Sequence, residues 1–114
     1  MESLEIKIAR DFSFSPGPRY IDEGKNSGEK FRKDLLYPKF KEAIETNKKI
    51  IVDLDGTDGY GTSFLEEAFG GLIRINGLNY QQILSCLTII TEEEDYLEDD
   101  VYEYLKDAHE ESTK

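Results

Sequence analysis

The sequence predicts a small α/β sandwich: a short mixed β-sheet with helices packed mainly on one face. Three observations predict it. Near the N-terminus, Leu4-Glu5-Ile6-Lys7-Ile8-Ala9 alternates apolar and polar residues, the mark of a strand with one wet face. Two further apolar runs, Lys49-Ile50-Ile51-Val52-Asp53-Leu54 and Leu84 to Thr91, are bounded by turn signals and read as buried strands. Between and after them, apolar residues recur at helical spacing. Strands alternating with helices over 114 residues make one α/β domain. Its ordered core is expected over about residues 4–108, with fraying from Glu110 to Lys114.

The elements follow in order. Phe12 and Phe14 continue the first alternation until Pro16-Gly17-Pro18 breaks it, and Arg19 to Ile21 then reads as a short return strand of an edge hairpin. After the turn-rich Gly24-Lys25-Asn26-Ser27-Gly28, either Asn26 with Glu29 or Ser27 directly caps a helix that buries Phe31, Leu35 and Leu36. Pro38 suits a first helical turn, so a second helix is predicted from about Pro38 to Asn47, with Phe40, Ala43 and Ile44 inward. Three consecutive β-branched residues, Ile50-Ile51-Val52, predict a central strand covered on both faces. A glycine-punctuated loop leads to a helix from about Ser63, with Phe64, Leu65, Ala68, Phe69, Leu72 and Ile73 at helical spacing. Gly70-Gly71 inside it costs roughly 1 kcal/mol per glycine relative to alanine, which close approach of the helix to the sheet would explain. Asn79 caps a short helix through Ile83. A last helix carries Tyr96, Leu97, Val101, Tyr104, Leu105 and Ala108, opened by the acids Glu92 to Asp95.

Composition narrows the function. There are 25 acidic residues against 14 Lys and Arg, a net charge of −11. That surface repels phosphate backbones and anionic lipid, so neither nucleic acid nor a membrane is an expected partner. No apolar run approaches the ~20 residues needed to span a bilayer, and Met1 leads into charged sequence rather than a signal peptide. The expectation is a cytoplasmic protein. Cys86 has no second cysteine to pair with, and its apolar surroundings make it a small buried strand residue. One histidine, His109, rules out a histidine-built zinc or iron site. It lies near the frayed end and carries no expected role. Neither GxxxxGK[ST] nor GxGxxG opening a helix is present. An enzyme, a cofactor or a metal centre is therefore not expected. The acids Glu92 to Asp95, Glu98-Asp99-Asp100 and Glu103 form a solvated face, with a basic partner surface as the alternative. Monomer and dimer are both left open.

One segment carries a signal. Val52-Asp53-Leu54-Asp55-Gly56-Thr57-Asp58-Gly59-Tyr60-Gly61-Thr62-Ser63-Phe64-Leu65-Glu66-Glu67-Ala68-Phe69-Gly70-Gly71-Leu72 is a buried strand, an exposed turn, two hydroxyl residues and a helix start. A phosphoryl group on Thr62 or Ser63 would meet the unpaired N–H groups there. Against this stands a plain capping box formed by Ser63 and Glu66. Asp53, Asp55 and Asp58 are expected to cap turns, with a magnesium site as the alternative.

That stretch, with Gly17-Pro18-Arg19 and Ser27-Gly28-Glu29-Lys30-Phe31-Arg32 upstream, resembles the STAS-like domains of unknown function found in bacteria and phages. The resemblance covers about residues 4–108, and Gly59-Tyr60-Gly61-Thr62-Ser63-Phe64-Leu65 with Gly70-Gly71 is its specific core. More distantly the chain is similar to the STAS domains of anti-anti-sigma factors. Laying Val52-Asp53-Leu54 on that family's strand puts Thr62 at its phosphorylated hydroxyl and Ser63 at the next. Gly61 stands where the family has an aspartate, and Phe64-Leu65-Glu66 where it has Gly-Leu-Gly.

The resemblance implies a non-enzymatic regulatory module that binds a protein partner, a histidine-kinase-like ATPase, and is switched by phosphorylation of Thr62 or Ser63. Asp55, Asp58, Gly59, Tyr60, Gly61 and Glu66 would line the docking surface, with Tyr60 as the aromatic contact at the loop tip. Arg19 would pair with Asp55 or Glu66, neutralise a phosphate, or make an ordinary surface ion pair. The alternatives are an unmodified adaptor or oligomerisation domain, and a sensor of a nucleotide or other phosphate ligand.

Overall fold

The computed structural model describes residues 3–113. Strand β1 (Ser3–Lys7) ends in a single helical turn, α1 (Ile8–Asp11), where the Asp11 carboxylate accepts the Lys7 N–H at 2.9 Å. A loop with one 3-10 turn (Ile21–Glu23) leads to α2, a continuous helix over residues 28–46. Strand β2 (Lys49–Asp53) is followed by the loop 54–61 and by α3, continuous over residues 62–74. Helix α4 (Tyr80–Cys86) runs straight into β3 (Leu87–Ile90), and α5 (Tyr96–Ser112) closes the chain.

The three strands form one sheet in the order β1-β2-β3, every pair parallel. The α/β class is the expected one, but the sheet is parallel where a mixed one was predicted. The missing piece is the antiparallel return strand at Arg19 to Ile21. Pro16 and Pro18 have no N–H for a ladder. The carbonyls of Pro18 and Arg19 instead accept the Gly28 and Glu29 N–H groups at 2.9 and 3.0 Å, at the start of α2. Ile21 then turns into the 3-10 segment. Phe12 and Phe14 do not extend β1 either. Phe12 turns in against Phe31, with ring centroids 5.2 Å apart, and Phe14 is left 62% exposed.

Register explains the one-sided core. Ile6, Val52 and Ile89 lie side by side across the sheet, as do Leu4, Ile50 and Leu87. These two rows face the helices and join one cluster with Phe31, Phe40, Phe64, Phe69, Leu72 and Val101. On the opposite face Glu5 and Thr88 are exposed and Ile51 between them is only half-buried. β2 is the central strand, yet one of its faces is open, correcting the expectation of two covered faces. Helix α4 continues through Cys86, so the cysteine, though buried, sits on a helix end rather than in a strand.

The two helices predicted on either side of Pro38 are one. Residues Arg32–Leu36 form a widened π turn in which the Tyr37 N–H bonds back to the Arg32 carbonyl. A widened turn accommodates a following residue that cannot donate. α3 contains a second such turn at Glu66–Gly70. Ser27 caps α2 through the Lys30 N–H and Asn79 caps α4 through the Gln82 N–H. α5 extends to Ser112, past the point of expected fraying, and His109 stacks on Tyr80 with ring centroids 4.5 Å apart.

α2 and α3 are in close contact at their starts. A Cβ on Gly28 would overlap the Phe64 carbonyl, a backbone group that cannot rotate away. Gly28→Ala is therefore expected to destabilise the domain by about 1–3 kcal/mol, measured as a lower urea midpoint at unchanged slope. Gly61, open on all sides within 4 Å, should accept alanine at far smaller cost.

Candidate functional site

The strands run parallel, so their carboxyl ends and exit loops gather at one edge of the sheet, where open α/β sheets place ligand and partner sites. The loop 54–61 leaves β2 there, beside the segment that follows β1 and the turn that follows β3. Aspartates brace these connections. Asp53 accepts the Asp55 N–H at 2.9 Å and pairs with Lys7 at 3.2 Å. Asp55 accepts the Glu92 and Glu93 N–H groups at 2.9–3.0 Å, while Glu93 returns a carboxylate to the Gly56 N–H at 2.7 Å. Asp58 receives the Ser15 hydroxyl at 2.6 Å, and its own N–H donates to the Phe14 carbonyl at 2.9 Å. Among the described residues no group of three or more His, Cys, Asp or Glu is arranged to hold a metal ion.

Tyr60 lies inside the loop rather than at its tip. It is half-buried, its hydroxyl donates to the Leu54 carbonyl at 2.7 Å, and its ring lies 5.8 Å from Phe64. Burial, the largest influence, pushes its phenol above the ordinary value. Gly59, at φ +126°, reverses the chain before it, a conformation that favours glycine.

Gly61 is the N-cap of α3, so Thr62 and Ser63 are its first two residues. The capping box expected from Ser63 and Glu66 does not form. The helix begins one residue earlier than predicted, and Glu66 is held elsewhere. It binds Arg19, and it receives two hydrogen bonds from Arg74 at 3.0 and 3.1 Å. Both hydroxyl residues are exposed and neither hydroxyl has a hydrogen-bond partner among the described residues.

Beneath them lies a charge network the sequence reading did not find. Arg32, 3% exposed, pairs with the equally buried Glu67 at 2.5 Å and donates to its carbonyl at 2.9 Å. Arg19 and Arg74 reach the other Glu67 oxygen at 3.5 and 3.8 Å. Gly70-Gly71 was the available signal. A Cβ on Gly71 would overlap the Arg32 guanidinium. Gly71 thus admits an arginine from α2, Gly70 leaves room for the Glu66–Arg74 pair of its own helix, and neither meets the sheet.

The profile described as the STAS-like domain of unknown function (DUF4325) matches residues 27–97. That span exceeds half of the chain and includes the loop 54–61, both hydroxyls, Arg32 and Glu67. The chain belongs to this family. Neither the curated proteins nor the solved structures gave a match. No helix of the described residues is long and apolar enough to cross a membrane.

The two layers of the network have different energetics. Removing one partner of a buried pair strands a charge and costs about 3–5 kcal/mol, whereas an exposed pair is worth about 0–1. Glu67→Leu is expected to unfold much of the protein at 25 °C or lower its urea midpoint sharply. Adding Arg32→Met should restore most of the loss, and Arg19→Gln, at a part-buried pair whose two acids keep Arg74 and Arg32, should cost less than Glu67→Leu. For Glu66, desolvation raises the carboxyl's pKa, but hydrogen bonds from Arg74 and Arg19 outweigh it and hold the group below its ordinary 4.5. A lowered folded value stabilises fully above the ordinary value and fades as pH falls through the folded one. The stability difference between wild type and Glu66→Gln should therefore shrink between pH 5 and pH 3, read from urea midpoints.

Proposed function

We propose that this protein is a non-enzymatic regulatory binding module of the cytoplasm. The loop 55–61 and the start of α3 dock on a protein partner, a histidine-kinase-like ATPase that phosphorylates Thr62 or Ser63. The added charge, nearly two units, falls within the docking surface and changes affinity. The observation that carries this reading is the pair of adjacent exposed hydroxyls that cap nothing. A helix-starting hydroxyl is ordinarily explained by its cap, and that explanation is missing here. The braced loop supports the same reading, because it presents the hydroxyls from a fixed frame. Phe14, 62% exposed, is tied to that loop through its carbonyl and supplies an apolar contact beside it.

The residues at the site suit a substrate better than a catalyst. Asp55 and Asp58 are engaged by backbone and serine donors, and Tyr60 by a carbonyl. Among the described residues neither hydroxyl is hydrogen-bonded to a carboxylate or an imidazole.

Three measurements test the reading. Intact mass and peptide mapping after incubation in native host lysate with Mg-ATP should find one phosphate, on Thr62 or Ser63. A chain recovered unmodified and folded would leave an unmodified adaptor as the function, and thermal stabilisation by nucleotides alone would make it a sensor. Ser63→Ala should change folding stability by less than about 0.5 kcal/mol, where loss of a true cap would cost about 1. A full-sized loss would return Ser63 to a structural role.

A further inference from the structure

We infer that Arg19 is the internal receiver of a phosphoryl group on Ser63, exchanging Glu66 for the phosphate and uncovering Tyr20. The inference rests on the phosphorylation reading and adds what the modification does inside the domain. In the transfer, the terminal phosphoryl group of a nucleoside triphosphate forms a bond to Ser63 Oγ. Its bond to the departing nucleoside diphosphate breaks, and the hydroxyl proton is released.

The geometry selects Ser63 and Arg19 together. Residues three and four apart are neighbours on a helix surface, about 5–6 Å between Cβ atoms, so Ser63 adjoins both Glu66 and Glu67. Arg19 Nη1 bridges those same two carboxylates. A phosphoryl group there would face two negative charges that Arg19 shares with Arg74, and Arg74, on the last turn of α3, lies about three helical turns from Ser63. Phosphate is also a stronger partner than carboxylate for a guanidinium fork.

Arg19 can leave without stranding either acid. Glu66 keeps its two hydrogen bonds from Arg74, and Glu67 keeps buried Arg32. The Arg19 backbone stays pinned, because its carbonyl accepts the Glu29 N–H at 3.0 Å. The exchange is a side-chain movement. Its first effect falls on Tyr20, 46% exposed, whose ring lies 5.9 Å from the Arg19 guanidinium carbon. Next to it Ile21 is 47% exposed. Modification at the start of α3 thereby alters an aromatic and aliphatic patch on a different segment.

The test uses the full chain carrying phosphoserine at position 63. The second ionisation of the phosphate, followed by phosphorus NMR, is expected at least about half a pH unit lower than in the same protein with Arg19→Gln. The Tyr20 ring resonances should shift on phosphorylation. Equal phosphorus midpoints with and without Arg19 would overturn the inference. Should the Arg19→Gln chain not fold, unchanged Tyr20 resonances in the otherwise wild-type chain would overturn it equally. Failure of the kinase reading is separate, since it appears as absence of phosphate after lysate incubation and leaves the titration result intact.

Discussion

The pairing of Arg32 with Glu67 constrains how the helical layer can pack. It is buried where α2 crosses α3, and both helices widen into π turns at the crossing. Two charges removed from water are costly, so such a pair persists only with near-ideal geometry and further hydrogen bonds. Here the guanidinium also donates to the Glu67 carbonyl, although its Nε finds no partner among the described residues. Gly71 leaves the room, and Arg19 and Arg74 both approach the remaining carboxylate oxygen. α2 lies against β1 and β2, and α3 carries α5 on its flank. The pair therefore fixes how the two halves of the helical layer meet, in a domain whose whole stability is of order 5–15 kcal/mol.

The acidic composition acquires a local meaning at the strand ends. Asp53, Asp55, Asp58 and Glu93 each accept from loop N–H groups, a lysine or a serine. Parallel strands release three connections at one edge, each with backbone donors that no ladder satisfies. Short carboxylates satisfy them and tie one connection to the next. The loop before α3 is thus rigid by hydrogen bonding, and the two hydroxyls at its end stand clear of that bonding.

The legible part of the fold was the part governed by period and punctuation. Alternation in Leu4 to Ile8, the β-branched run at Ile50 to Val52 and the caps Ser27 and Asn79 each act over a few residues, so the sequence displays them. The antiparallel return strand was misread because Tyr20 and Ile21 suit a strand by type, while the decisive factor was an acceptor for the first N–H groups of α2, eight or more residues away. The break at Pro38 was misread because helical spacing assumes 3.6 residues per turn, and a π turn absorbs one more. In the site, the hydroxyls and the loop were visible in the string, and Glu66 was one of several partners open to Arg19. Arg32 and Glu67 were not, since charged residues ordinarily signal surface and their burial depends on a crossing 35 residues apart in sequence.

Helical phase is counted from the point where a helix is held. α3 is held at Glu67 to Gly71, and Thr62 and Ser63 precede the widened turn by only a few residues. Each residue advances an α-helix by about 100°. Because the widened turn holds one residue more than an α turn for nearly the same rotation, the extra residue is taken up locally and Thr62 and Ser63 keep their phase relative to the held segment. The irregular turn acts as a buffer: it absorbs a residue of chain length without turning the hydroxyls away from solvent.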